Sequence, residues 1–337
     1  MSRTDRLQAD LERGFEALED GRIEDAASCA ERCRRIDRQN ADVVTLSAAV
    51  ADAKGDVDGA LELYQQLAQL RPDDAMPRIC IARLELRDLG DPDAALETLA
   101  EAMDFIDEEA DLVEAITLRT EALIANDDLP AAREALGELA SSVIDDADLA
   151  LDLAELALAA EDPAAARRWI EIAQKEPELA ADAYHLLGRV HEFANEREPM
   201  IAAWQKVREL DAAAPAPELS ITDDALEEIA AATLAELPEN VRAHLEKVPI
   251  LIDTLPSAEL VADGLDPRLL GLFQGSPMPE SGGGAPTVTN ILLFKTNLER
   301  FATDEEHLAD EIRITVLHET AHYFGLDEEE LEKIGLD

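Results

Sequence analysis

A small side chain recurs at a nearly fixed interval along the first two-thirds of the chain, and this recurrence limits the possible folds more than any other feature. The positions are Ala26, Ala60, Ala95, Ala132 and Ala166, with Met200 in the same register, and the gaps are 34, 35, 37, 34 and 34 residues. Turn signals keep step with them at Gly21, Gly55, Gly90-Asp91-Pro92, Asp127-Asp128 and Asp162-Pro163. Such a unit reads as two amphipathic helices joined by a tight turn. One hairpin cannot bury its own apolar face, so successive hairpins must stack. The small residue lets the two helices approach, where a larger one would hold them apart. Met200 departs from that rule.

Composition agrees with a helical array. Hydrophobic residues make up 47% of the 337 residues and aromatics only 4%, a balance that favours closely packed helices over a β-sandwich. Asp and Glu number 76 against 29 Lys and Arg, a formal charge of −47. That field repels nucleic-acid phosphates and anionic lipid, so neither nucleic acid nor membrane is an expected partner. It attracts basic segments, or serves solubility alone. The opening Met-Ser-Arg-Thr-Asp-Arg leads into no apolar stretch of the secretory kind, and no run approaches a membrane span, so a cytoplasmic protein is expected. Cys29 and Cys33 lie one helical turn apart with no nearby histidine, which reads as two buried small hydrophobes rather than a metal site.

The unit from Ala41 to Asp74 carries Gly55-Asp56 at its turn, Ala60 and Tyr64 on the second helix and Pro72 at its exit. In these features it resembles the tetratricopeptide repeat. Val44, Ser47 and Ala48 stand where that family carries a tryptophan and a Leu-Gly pair, while the sixth copy restores Tyr184, Leu187-Gly188 and Trp204 at the other family positions. About six repeats are expected over residues 1–214. The resemblance implies a groove that binds a peptide or another protein. The plainer alternative is an array that only spaces or stabilises the C-terminal domain.

The Pro-Ala segment around residues 215–220 ends the repeat pattern and reads as a linker. Residues 221–337 then read as a small α+β domain: a helix from Ile221 to Leu237 stopped by Pro238, a strand over Val248–Asp253, and a second strand over Val288–Phe294. A further helix comes after them. Thr303 and Glu306 form a capping-box pattern with Thr303 as the N-cap, Leu308, Ile312, Val316 and Leu317 recur at helical spacing, and Gly325 supplies the stop. Within this helix lies His318-Glu319-Thr320-Ala321-His322. Residues at i and i+4 stand one above the other, so both imidazoles can reach one zinc ion. Glu319 is turned about 100° from His318, a direction suited to a water rather than to the metal. The plain alternative is an acidic surface helix that happens to carry two of the chain's six histidines.

The pentamer extends to Gly325 and Glu328 in the pattern His-Glu-x-x-His-x-x-Gly-x-x-Glu. Metzincin proteases carry a histidine at the last position and a methionine turn after it; here the position is Glu328 and no methionine follows. The domain resembles instead the short bacterial zincin-like metallopeptidases, through Leu237-Pro-Glu239, Val248 to Asp253, Leu269 to Gly275 and His318 to Glu328. The resemblance implies one zinc per chain on His318, His322 and an acid, with Glu319 as general base in peptide-bond hydrolysis. Glu328 sits where metzincins place their third ligand; Asp327, or water alone, is the rival for that position. In this class an exposed strand edge aligns an extended peptide substrate, and Asn290–Phe294 is the expected edge. The alternative function is an interaction scaffold whose zincin-like domain is structural or inactive.

Overall fold

The structure is a computed structural model, and it describes residues 2–237, 239, 242, 245, 248–275 and 288–323. The expected glycine stop at Gly325 and the two acids Asp327 and Glu328 lie outside the described residues. The chain divides into two compact units, Met1–Ala173 and Gln174–Asp337.

The first unit is built of helical hairpins: α1 (Arg3–Glu19) with α2 (Ile23–Asp37), α3 (Ala41–Ala53) with α4 (Val57–Leu70), α5 (Met76–Arg83) with α6 (Pro92–Ala102), α7 (Glu109–Ala125) with α8 (Leu129–Glu138), and α9 (Ala147–Ala159) with α10 (Pro163–Ala173). The residues of the small-side-chain register, Ala26, Ala60, Ala95, Ala132 and Ala166, have no exposed surface at all. That is what close approach of two helices demands at their crossing. Cys29, Cys33 and Cys80 are buried free thiols, and burial pushes Cys33 and Cys80 up to about 11.

A second register appears in the turns. One residue per hairpin adopts a left-handed backbone: Gly21, Gly55, Gly90, Asp127, Glu161 and Asn195, with φ between 57° and 70°. Each lies five residues before the register position of its hairpin, alanine in the first five and Met200 in the sixth, so the turn and the helix crossing repeat as one unit. The next amide closes back on the carbonyl five residues earlier, as in Asp56 to Ala51, Asp128 to Leu123, Asp162 to Ala157 and Glu196 to His191, at 2.7–2.9 Å. This caps carbonyls that the helix end leaves unpaired. Aspartates then start the following helix: Asp56, Asp91 and Asp128 each accept from the amide three residues on. The extra residue of the 35-residue interval is taken up as a π turn, Leu84–Asp88, which continues α5.

The second unit begins with α11 (Ala180–Phe193) and α12 (Arg197–Ala213), the sixth hairpin. A Cβ placed on Gly188 would lie 2.0 Å from the Trp204 indole nitrogen, so the bare glycine is what admits the ring. Met200 is buried as its five counterparts are, and packs with Trp204, Val207 and Val261. Beyond it come α13 (Asp223–Glu236), β1 (Ile250–Asp253), α14 (Ala258–Ala262), β2 (Gly271–Gly275), β3 (Val288–Phe294), α15 (Lys295–Phe301) and α16 (Glu305–Tyr323). The described sheet has the order β1-β3-β2, with β1 parallel and β2 antiparallel to β3. Ile291, Leu292, Leu293 and Phe294 are all buried, as a strand covered on both faces requires. The core joins Leu226 and Ala230 of α13, Ile291 and Leu293 of β3, Leu298 of α15, and Leu308, Ile312 and Val316 of α16.

Two expectations are corrected. Asn290–Phe294 is not an edge: β3 is the middle strand and pairs on both sides, so among the described residues the edges are β1 and β2. The cap of α16 is Asp304 rather than Thr303. Asp304 Oδ1 accepts from the His307 amide at 2.9 Å, and the His307 imidazole, not Glu306, turns back to the Thr303 amide at 3.1 Å. An aspartate adjacent to a threonine offers the stronger acceptor, so the helix starts one residue later.

Candidate metal centre

Helix α16 brings His318 and Glu319 into the second unit's interior, and its backbone continues through His322 to Tyr323. Four residues of α-helix advance about 6 Å and slightly more than one turn, so positions 318 and 322 share a helix face. His318 is partly buried and Glu319 is 6% exposed. A carboxylate this deep needs a donor. It has one in β2: the Phe273 amide donates to Glu319 Oε2 at 2.5 Å. The contact exists because β2 lies directly on the helix. A Cβ at Gly271 would stand 2.5 Å from Thr315 Cγ2 and 3.1 Å from Glu319 Cγ, so glycine sets the separation of strand and helix.

β2 is itself held from behind. Asn297 Nδ2 donates to the carbonyls of Pro267 and Leu269 at 2.9 and 2.7 Å, and the Phe294 amide donates to the Leu270 carbonyl at 2.8 Å. Arg268 donates to Asp211 of α12 at 3.1 Å and to Asp182 of α11 at 2.5 Å. His185 of α11 meets Asp266 at 2.9 Å. Burial raises the Asp266 carboxyl, but the bond and charge of His185, with Arg268, outweigh it and hold the group below its ordinary value. Arg300 ties in as well, donating to the Asp211 carbonyl at 2.8 Å. The sixth hairpin therefore grips the loop that feeds β2, and β2 carries the amide that holds Glu319.

Sequence reasoning missed Gly271, Arg268, Asp211, Asn297 and Phe273 as parts of the site. Gly271 and Phe273 do fall within the Leu269–Gly275 block, and that block is the available signal. Asp211 lies in a repeat, with nothing in its neighbourhood to mark it.

Of the expected site residues, the structure places His318 and Glu319 with their side chains and His322 by its backbone, while Glu328 and its rival Asp327 lie outside the described residues. Among the described residues no group of three His, Cys, Asp or Glu side chains is gathered that could hold a metal. The donor types fit zinc: two imidazoles one helical turn apart, with a buried carboxylate beside the first.

Comparison with known proteins adds the family. Residues 245–336 match the family described as zincin-like metallopeptidase. None of the curated proteins matches the chain. Among solved structures, PilW, described as a widely conserved type IV pilus biogenesis factor, is 15% identical with a TM-score of 0.51, over 60% of this chain and 92% of that one. The pilF protein of Pseudomonas aeruginosa is 16% identical with a TM-score of 0.51, over 62% of this chain and 93% of that one. A thermophilic TPR protein of Thermus thermophilus is 19% identical with a TM-score of 0.45, over 54% of this chain and 98% of that one. At these identities the likeness is one of fold. Among the described residues no helix is long and apolar enough to cross a membrane. The chain is thus a tetratricopeptide-like array of helical hairpins followed by a zincin-like domain.

Proposed function

We propose that residues 221–337 form a zinc-dependent peptidase domain, that residues 1–214 form a repeat array binding a protein or peptide, and that 215–220 link them. His318, His322 and Glu328 would hold one zinc per chain. Bound there, zinc would acidify a water and polarise the scissile carbonyl. Glu319 would take the proton of the attacking water and deliver it to the leaving amine. The Phe273 amide orients the carboxylate for this through Oε2, and a carboxylate accepts through both of its oxygens. β2, rather than β3, is the strand edge nearest this glutamate and the better place to align an extended substrate.

The single observation that carries the reading is a glutamate buried to 6% exposure directly after a helix histidine, its carboxylate aimed by a strand amide. A second reading draws on the same contact. If the bond to Phe273 is all that Glu319 does, the domain is a structural one and the protein a scaffold. The test is cleavage of an unbiased peptide library. Glu319→Gln keeps the shape and the amide bond but removes the base, so turnover should fall at least 100-fold while the melting temperature holds. Cleavage that survives this change rules out Glu319 as the base. A wild type that cleaves nothing leaves the scaffold.

A further inference from the structure

The first unit has a groove of about 530 Å³ between α5, α7 and the stretch leading into α9. Its floor is apolar, formed by Val113, Leu118 and Ile144, which are buried, and by Val143, which is 76% exposed. Five carboxylates line it, those of Glu109, Glu114, Asp145, Asp146 and Asp152, against two guanidiniums, Arg83 and Arg87. Both guanidiniums are already neutralised. Arg83 pairs with Asp52 at 2.5 Å and with Glu114 at 3.5 Å, and Arg87 meets both oxygens of Glu121 at 3.0 and 2.6 Å. Two of the acids serve the backbone, Asp146 capping α9 and Glu109 accepting from Val143. Their charge is lessened by neither bond. The groove therefore has an uncompensated negative lining over an apolar floor. The crowding is visible at Asp152, whose carboxyl is raised by burial and by Asp148, against a smaller opposing pull from Arg87, with Glu121 and Asp146 adding to the rise.

We infer that this groove binds an extended basic segment of another polypeptide, with lysine or arginine heads against Asp145 and Asp152 and an apolar side chain on Val143. The inference rests on the peptide-binding half of the proposed function and is independent of hydrolysis. A long cationic side chain suits such a lining because its stem lies on apolar surface while its head meets carboxylates. An acidic segment would face Glu109, Asp145, Asp146 and Asp152 with no unpaired guanidinium to answer them. A neutral segment would leave the lining uncompensated and gain only the apolar contact.

The test is fluorescence anisotropy of the full chain with two labelled twelve-residue peptides, one alternating arginine with leucine and one alternating glutamate with leucine. The arginine peptide should bind at least tenfold more tightly, and weaken as salt rises. Asp145→Asn with Asp152→Asn should weaken it at least fivefold. Glu97→Gln with Glu101→Gln, which removes the same charge from exposed positions of α6, should leave it within twofold. Circular dichroism of both variants checks that the array is intact. Equal loss in the two variants would mean attraction to the acidic surface at large and would overturn the groove as the site. Binding of the glutamate peptide as tightly as the arginine one would overturn the ligand class alone. If neither peptide binds, the groove is overturned as a site for basic segments, while the broader reading of the repeats as a protein-binding array is not decided by these two peptides.

Discussion

The left-handed turn residue of each hairpin is where single side chains matter most for the array. Glycine holds this backbone without strain, and Asp127 and Asn195 belong to the types that tolerate it best. Glu161, at φ 57°, does not. Relief of its strain, on the order of 1–2 kcal/mol, exceeds the roughly 0.5–1 kcal/mol that glycine adds in chain entropy. Glu161→Gly should therefore raise stability by about 0.5 kcal/mol, and Gly55→Ala, at φ 70°, should lower it by about 1 kcal/mol. Thermal melts check both; a lowered melt for Glu161→Gly would count against the strain argument. The turn register is half-legible in the sequence, since Gly21, Gly55 and Gly90 announce themselves. Glu161 does not, because a left-handed glutamate is imposed by the hairpin and not preferred by the residue. Gly271 is illegible for a related reason: its role depends on Thr315 and Glu319 arriving from a helix more than forty residues later.

Among the elements, the sixth hairpin has two characters. By sequence it is a repeat, with Gly188 and Trp204 in their family places; by packing it belongs to the second compact unit, where Arg268 reaches both of its helices. The side chain of Asp211 is 8% exposed and pairs with Arg268 at 3.1 Å and with Arg300 at 3.3 Å, so removing Arg268 leaves a buried charge with one of these two partners. Arg268→Ala should cost about 1–3 kcal/mol in the unfolding of this unit, less than for a fully unpaired charge because Arg300 remains, measured by denaturant melts of the full chain. A loss below about 0.5 kcal/mol would show the pair to be idle. Asp266 adds a pH signature. Its folded value lies below the ordinary 3.8, so the stability it confers is present above that value and is lost as pH falls through the depressed one. Asp266→Asn should flatten the dependence of stability on pH below about 4. Periodicity exposes the hairpins, β1, β3 and α16, because each pattern is local. The grip of α11 and α12 on the loop before β2 is hidden, since charge pairs between Asp182, Asp211 and Arg268 leave no spacing to read. The edge strand was misplaced for a different reason: an apolar run of four, Ile291 to Phe294, signals burial on two faces, and hence a middle strand.

At the scale of the whole molecule, a tetratricopeptide-like array is followed by a zincin-like domain, and the central claim of the proposed function is the metal. Everything proposed for Glu319 depends on a zinc held by the histidine before it and the one three residues after it. The direct measurement is elemental analysis of the purified chain and of two variants. One zinc per chain is predicted in the wild type, the same in Glu319→Gln, and less than a tenth of it in His322→Ala, with the helical circular dichroism of the array kept in all three. A wild type free of zinc after purification in zinc-supplemented buffer, or undiminished zinc in His322→Ala, would contradict it.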